Sequence, residues 1–368
     1  MFFPTGNEER EGIINKNAPY PTKQENKKKV ILQRGIEESE YEEITSFLSE
    51  QNMMSSGNYT LLSRSELEKY KRLHTYIVLL RNEPSKKLFG TIFSIPLPIK
   101  CTISAGITND EEYMKDQMIM HGCTTFLNVQ STIRGFKMCM LLIRELAQYG
   151  FENNVLCSYQ LSSFKMCETA VEISTWTRPI NLQKSLLLGF TFPKFNELSQ
   201  FHNNRSLYKC KVPKGYTVAE VKKGNMEEAL KFYKKIIENK KFAFYPDISF
   251  LEKWIKEYPT YIVKKENKNV GFFSIGTINC RMITGIEGRL CLPLLFNSVI
   301  DEGDKVLKCL LSIAHEKDYD ALYGNQVGDL TQEVYVQANC VPNSKKSYFS
   351  LYNNSMKLTE KDIYVPLI

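Results

Sequence analysis

One order of elements occurs twice in this 368-residue chain, and it limits the fold more than any other feature. "TYIVLL" (75–80) alternates like a strand, "RNEPSKK" makes a polar turn, and "LFGTIFSI" (88–95) reads as a second strand. The same succession returns as "TYIVKK" (260–265), "ENKN" and "VGFFSIGTI" (270–278). Each hairpin leads to a further strand (124–129 and 292–299), an amphipathic helix (135–150 and 303–319) and a closing strand (154–161 and 320–327). Helical segments at 38–51 and 63–73 precede the first hairpin, and segments at 224–241 and 247–258 precede the second. "RSLYKCKVP" (205–213) is expected to be the strand that joins the halves. The repetition predicts an α/β fold with a mixed sheet, built from a first unit (30–204) and a second (205–368). Residues 1–29 read as an arm without a core of its own.

Composition excludes several classes. Hydrophobic residues make up 43% and charged residues 24%, the balance of a globular protein. The net charge of +7 is spread along the chain among acids, so a nucleic-acid-binding face is not expected. "KQENKKK" (23–29) is the one local basic run and reads as solvated linker. The ten cysteines stand singly and there are four histidines, so no metal site is expected. Cys139, Cys157, Cys291 and Cys309 lie in apolar segments and read as small buried hydrophobes of a reducing compartment. No apolar stretch reaches the length of a membrane span, and the start lacks a signal peptide's pattern. A cytosolic monomer is expected.

The chemistry is expected at the elbow "QSTIRGFK" between strand 124–129 and helix 135–150. The first N–H groups of a helix have no partner within it, and the dipole adds partial positive charge there. Arg134 and Lys137 add cations and Gly135 allows close approach, which suits a pyrophosphate. The second unit supplies a control. Its elbow "SVIDEGDK" carries Asp301, Glu302 and Asp304, which would repel a phosphate.

A strand, "RGFKMC" and a helix followed by another strand resemble motif A of the GNAT acyltransferases, although Lys137 and Cys139 replace that motif's small residues. "KKLFGTIFSIP", "TTFLNVQSTIRGFKMCMLLIREL", "TWTRPIN", "RSLYKCKVP", "YIVKKENKNVGFFSI" and "SLYN" resemble, in order, segments of the eukaryotic glycylpeptide N-myristoyltransferases. That resemblance covers residue 30 onward and is most specific in the first half. It implies two tandem GNAT-like units related by a pseudo-twofold axis, and transfer of myristate from myristoyl-CoA to the N-terminal glycine of a peptide or protein. Myristoyl-CoA would be a substrate, with no further cofactor and no metal. Its binding residues would be Val129, Arg134, Gly135, Phe136, Lys137, Met138 and Cys139. Tyr159, Gln160 and Asn325 would lie on the peptide side.

Acyl transfer to an amine needs hydrogen-bond donors for the oxygen that becomes negative, a neutral amine and an apolar site for the chain. The resemblance assigns the donors to the main-chain amides of Phe126 and Leu127. An α-amino group has a pKa of about 7.7–8.0 and must lose a proton. No Ser-His-Asp arrangement and no G-x-S-x-G occurs to suggest a base. The family uses its C-terminal carboxylate, which corresponds to Ile368. The tail "DIYVPLI" carries no side-chain charge after Asp362, and burial would raise such a carboxylate from about 3.5.

Departures from the family cluster on the peptide side. "SEQNMMSSGNY" keeps only Glu50 of an acidic loop. Gln160, Leu161 and Ser162 replace Thr-Ala-Gly, and Thr175, Trp176 and Thr177 replace Tyr-Trp-His, while Arg178 and Asn181 remain. "NSKK" near Ser344 replaces Gly-Asp-Gly, and "MFF" stands for an N-terminal Tyr-x-Phe-Trp. Two alternatives therefore stay open: an acyltransferase for another acyl-CoA or amine, and an inactive relative that serves as a binding or structural module.

Overall fold

Strand pairing runs through both units without a break in the computed structural model, which describes residues 30–51, 58–108, 111–136, 138–188, 208–282, 284–354 and 356–368. From one edge the strands are β1 (Val30–Arg34), β3 (Tyr76–Asn82), β4 (Leu88–Thr108), β5 (Glu111–Val129), β6 (Cys157–Ser162) and β14 (Val341–Tyr352). They continue with β7 (Val171–Pro179), β13 (Ala321–Asn325), β12 (Glu287–Ser298), β11 (Lys268–Met282), β10 (Thr260–Lys265) and β8 (Tyr216–Glu220). β2 (Asn58–Leu61) pairs with β11, and β9 (Phe242–Phe244) bridges β4 and β15 (Ile363–Tyr364).

The order is symmetric about the β14–β7 pair. β1, β3, β4, β5 and β6 match β8, β10, β11, β12 and β13, and both parallel pairs, β5–β6 and β12–β13, fall at equivalent places. β7 of the first unit and β14 of the second each cross into the other unit's half of the sheet. The mixed α/β sheet and its internal symmetry follow the duplication in the sequence.

Helices cover both faces. α3 (Met138–Glu152) lays Met138, Leu142 and Leu146 on Val78, Leu80, Ile92 and Val129. α7 (Gly303–Glu316) does the same in the second unit through Val306, Leu310 and Ala314. The largest core lies on the other face of the first unit's strands. It is closed by α1 (Tyr41–Gln51), α2 (Arg64–Arg72), α5 (Met226–Ile236) and α6 (Ile248–Glu257). Met226, Ala229, Leu230 and Tyr233 follow the spacing of one helix face, which is why α5 buries that stripe. Two starts are well capped: Ser63 and Glu66 form a capping box on α2, and Asp247 accepts the Phe250 N–H at 2.7 Å on α6. α4 (Leu182–Leu187) and α8 (Gln332–Gln337) are short. Among the described residues no helix is long and apolar enough to cross a membrane.

Three expectations need correction. Residues 208–213 form no strand, and the second unit's first strand is β8 instead. Pro213 offers no N–H to a ladder, and Gly215 turns the chain with a φ of 84° before β8 begins. The helix expected from 135 starts at Met138, after a 3₁₀ turn over Ser131–Phe136. The first hairpin's second strand runs to Thr108 and pairs with a strand starting at Glu111, far beyond the expected bounds. Pro96 and Pro98 have no N–H to give, and they fall where that edge of β4 asks for none, the Pro98 carbonyl accepting the Tyr245 N–H at 2.8 Å. Along that edge β3 pairs as far as Ser94 and β9 begins at Ile99. The arm 1–29 and the joining residues 189–207 lie outside the described residues.

Candidate active site

The site begins with an extra residue in β5. Thr91 pairs with Asn128 and Phe93 with Thr125, so the register slips by one between them. The bulge falls at Phe126 and Leu127. Phe126 takes a φ of 51°, a conformation uncommon for a side chain of that size. Its backbone is pinned by Thr91, whose hydroxyl donates to the Phe126 carbonyl at 2.9 Å. Its ring packs edge-on against Phe93 at 5.3 Å and Tyr70 at 5.5 Å. Phe126 packs with the large core while Leu127 packs with the α3 core, so the two residues face opposite sides of the sheet. A bulge interrupts the ladder and leaves main-chain groups for other partners. The second unit also slips, between Ser274 and Ile275, but no residue there has a positive φ.

Beside the bulge the sheet opens. β5 and β6 pair in parallel only from His121–Cys157 to Thr124–Gln160. Beyond Thr124, β5 continues to Val129, while β6 pairs on its other side with β14. The elbow follows directly. Arg134, Gly135 and Phe136 sit in the turn over Ser131–Phe136, and Lys137 lies outside the described residues. Met138 opens α3 with a buried side chain, as is Val129, and Cys139 is half-buried. In the second unit the equivalent helix mouth is closed by its own ion pairs. Asp304 binds Lys305 and Lys308 at 2.7 and 3.0 Å, and Glu302 binds Lys265 at 2.7 Å.

A narrow cavity of about 70 Å³ lies between α3 and the strands. Its roof is Ile143, Leu146, Ala147 and Phe151. Its floor includes a cross-strand row, Ser94, Thr124, Gln160 and Ser350, that steps through β4, β5, β6 and β14 in register. Gly122 keeps this floor low, since a Cβ there would stand 2.2 Å from the Ser94 hydroxyl. Gln160 donates to the Met166 sulfur, a weak acceptor, and the buried Ser350 hydroxyl has no hydrogen-bond partner among the described residues.

On the opposite face the chain's last described residues come up against β5 and β6. β15 pairs in parallel with β9, and Val365 and Leu367 are buried. The Pro366 carbonyl accepts the Tyr159 hydroxyl at 2.9 Å and faces the Cys123 thiol at 3.7 Å. Ile368 is half-buried against the large core. Burial pushes the Cys123 thiol up to about 11 and holds the Tyr159 phenol well above its ordinary value, so both stay protonated near neutrality. Cys123 is three residues from Phe126, about 10 Å along the strand. Phe126, Tyr159 and Ile368 thus pack with the large core on one side of the sheet, and Leu127 with the α3 core on the other. Gln160 points to the cavity side instead. Asn325 is buried on β13, its carbonyl accepting the Tyr335 hydroxyl at 2.9 Å.

Thr91 and Cys123 were missed in the sequence. Neither was singled out, although Thr91 lies within "LFGTIFSIP", and each acts on a residue far along the chain. Among the described residues no group of three His, Cys, Asp or Glu could hold a metal ion.

No family model matches the chain, and no curated protein matches it in sequence. Solved structures match it in shape. A Saccharomyces cerevisiae N-myristoyltransferase with bound myristoyl-CoA superposes with a TM-score of 0.79 at 12% identity, covering 100% of this chain and 97% of that one. Another with bound myristoyl-CoA gives 0.77 at 13% identity, covering 97% and 90%. A third, with bound myristoyl-CoA and inhibitors, gives 0.76 at 13% identity, covering 97% and 91%. This chain has the fold of the N-myristoyltransferases.

Proposed function

We propose that this chain is an N-acyltransferase that moves a myristoyl group from myristoyl-CoA to the amino group of an N-terminal glycine. The observation that carries the reading is the bulge at Phe126. It lies where β5 and β6 part, with the elbow and cavity toward α3 and the tail on the other face. The pyrophosphate would sit on the first amides of α3 beside Arg134, and the acyl chain in the cavity under α3. The amides of Phe126 and Leu127 would hold the carbonyl oxygen as it becomes negative. With Ile368 as the last residue, its carboxylate would take the proton from the glycine amine. The amine nitrogen then attacks the thioester carbon, the C–S bond breaks, and coenzyme A leaves as its thiol after taking a proton.

One observation favours a different acyl-CoA. An apolar chain laid along Ser94, Thr124, Gln160 and Ser350 leaves hydroxyls unmatched, and the Ser350 hydroxyl already lacks a partner among the described residues. Mass spectrometry of a glycine-starting peptide library, incubated with the protein and a mixture of acyl-CoAs, decides between them. A mass gain of one myristoyl group on glycine peptides is the expected result. A different acyl mass assigns another donor, and no product combined with tight acyl-CoA binding assigns a binding module.

A further inference from the structure

The tail that ends this structure is held by residues of the first unit. Pro366 has a ring-fixed φ and no N–H, so its carbonyl is the one main-chain hydrogen-bonding group it offers. That carbonyl accepts the Tyr159 hydroxyl at 2.9 Å and faces the Cys123 thiol at 3.7 Å, across 207 and 243 residues of sequence. Both holding residues are buried, and they are register partners on β5 and β6 at the last turn before the strands part. The Tyr159 ring is clamped by Phe242 edge-on at 5.8 Å and by Phe349 at 5.5 Å, so its hydroxyl has a fixed direction. A buried phenol needs an acceptor, and this one takes it from the tail and not from its own sheet. Phenylalanine would fill the same space without holding anything.

We propose that Tyr159 and Cys123 are positioning residues that fix where Ile368 lies relative to the bulge at Phe126. Tyr159 is thereby reassigned from the peptide side, where the family resemblance would put it, to a clamp on the tail. The catalytic meaning of the clamp rests on the acyltransferase reading above, whereas the clamp itself rests on the contacts.

The test uses the full chain with Tyr159→Phe, Cys123→Ser and Cys123→Val. Two quantities are measured: steady-state acyl transfer to a glycine peptide, and the rate at which a carboxypeptidase releases Ile368 and Leu367. Loss of one hydrogen bond to a buried carbonyl should lower kcat of Tyr159→Phe roughly ten- to thirtyfold, with KM for the acyl-CoA unchanged. Release of the last two residues should quicken by a similar factor. Cys123→Ser, which keeps a donor, should retain most of the rate, and Cys123→Val should lose it. A Tyr159→Phe protein with wild-type kcat and release rate overturns the proposal. So does one in which kcat, acyl-CoA affinity and melting temperature fall together, since that is general loosening. If the wild type transfers no acyl group, the enzymatic reading fails on its own. The release rates then still decide the clamp, with faster release supporting it and equal rates ending it.

Discussion

The hydroxyl of Thr91 donates to the carbonyl of Phe126 at 2.9 Å and holds a residue whose φ is 51°. A ring of that size in the left-handed region costs energy that the surroundings must offset. Thr91 is fully buried on the adjoining strand, so this contact and the aromatic packing on Phe93 and Tyr70 do the holding. Thr91→Val keeps the shape and removes the donor. The expected outcome is a stability loss of about 1 kcal/mol in urea unfolding and a kcat lower by roughly tenfold, because the Phe126 and Leu127 amides lose their aim. Unchanged kcat would separate the bulge from catalysis.

At the elbow, Arg134→Ala with Lys137→Ala should weaken myristoyl-CoA binding at least tenfold by calorimetry. The loss should shrink as salt rises, since the contact is ionic. The corresponding change in the second unit, Lys305→Ala with Lys308→Ala, leaves Asp304 at the mouth of α7 and should not alter the affinity. Equal losses in the two pairs would mean a general charge effect.

His121 sets an acid limit on stability. It is fully buried on β5, with Nε2 3.2 Å from the Asn354 amide, Nδ1 3.3 Å from the Ile119 carbonyl and the Phe242 ring edge-on. Burial holds its imidazole down at about 4, against roughly 6.5 in an unfolded chain. The unfolded state therefore binds the extra proton first. The contribution is complete above pH 6.5 and is lost at about 1.4 kcal/mol per pH unit as the pH falls toward 4. Urea midpoints at pH 7, 5.5 and 4.5 should fall more steeply in the wild type than in His121→Gln. Parallel slopes would assign the acid loss to other groups.

Arg81 is the buried charge that ties the first unit's edge together. It reaches Glu40 at 2.9 Å, Glu43 at 2.8 Å, the Gln33 amide oxygen at 2.8 Å and the Lys86 carbonyl at 2.8 Å. Replacing it with Met leaves those acceptors facing an apolar side chain. Glu43 is partly exposed and can turn to water, so the loss should be about 2 kcal/mol, below the cost of breaking a fully buried pair. Denaturant unfolding measures it.

How far the sequence could be read follows from which forces are local. The hairpin β10–β11 came out near its expected place because two apolar runs flank a polar turn, and helices α5, α6 and α7 did because their apolar residues repeat with a helical period. The strands β7 and β14 did not, since "VEISTWTRP" and "VPNSKKSYFSLY" carry charges and prolines along their length. They are strands because they pair with each other across the symmetry axis. The site divides the same way. The elbow was read from a local pattern after a strand, and the Phe-Leu pair only from the family resemblance. The bonds from Thr91 to Phe126 and from Tyr159 to Pro366 join residues 35 and 207 apart, and no local pattern announces them.

The cavity offers the last prediction. Ala147 lies in its roof, on the helix turn between Ile143 and Phe151, and faces the floor across the space that an acyl chain would need. Ala147→Phe fills that space with a ring while leaving the elbow, three turns earlier on α3, untouched. Each methylene kept out of an apolar site forfeits about 0.8 kcal/mol. Displacing three or four should weaken a long-chain acyl-CoA by roughly fifty- to two-hundredfold. Acetyl-CoA, which leaves the cavity empty, should bind the variant as it binds the wild type. Calorimetry with the two donors separates the outcomes. Equal weakening of both would mean the variant has shifted α3 itself, and no weakening of either would place the acyl chain elsewhere.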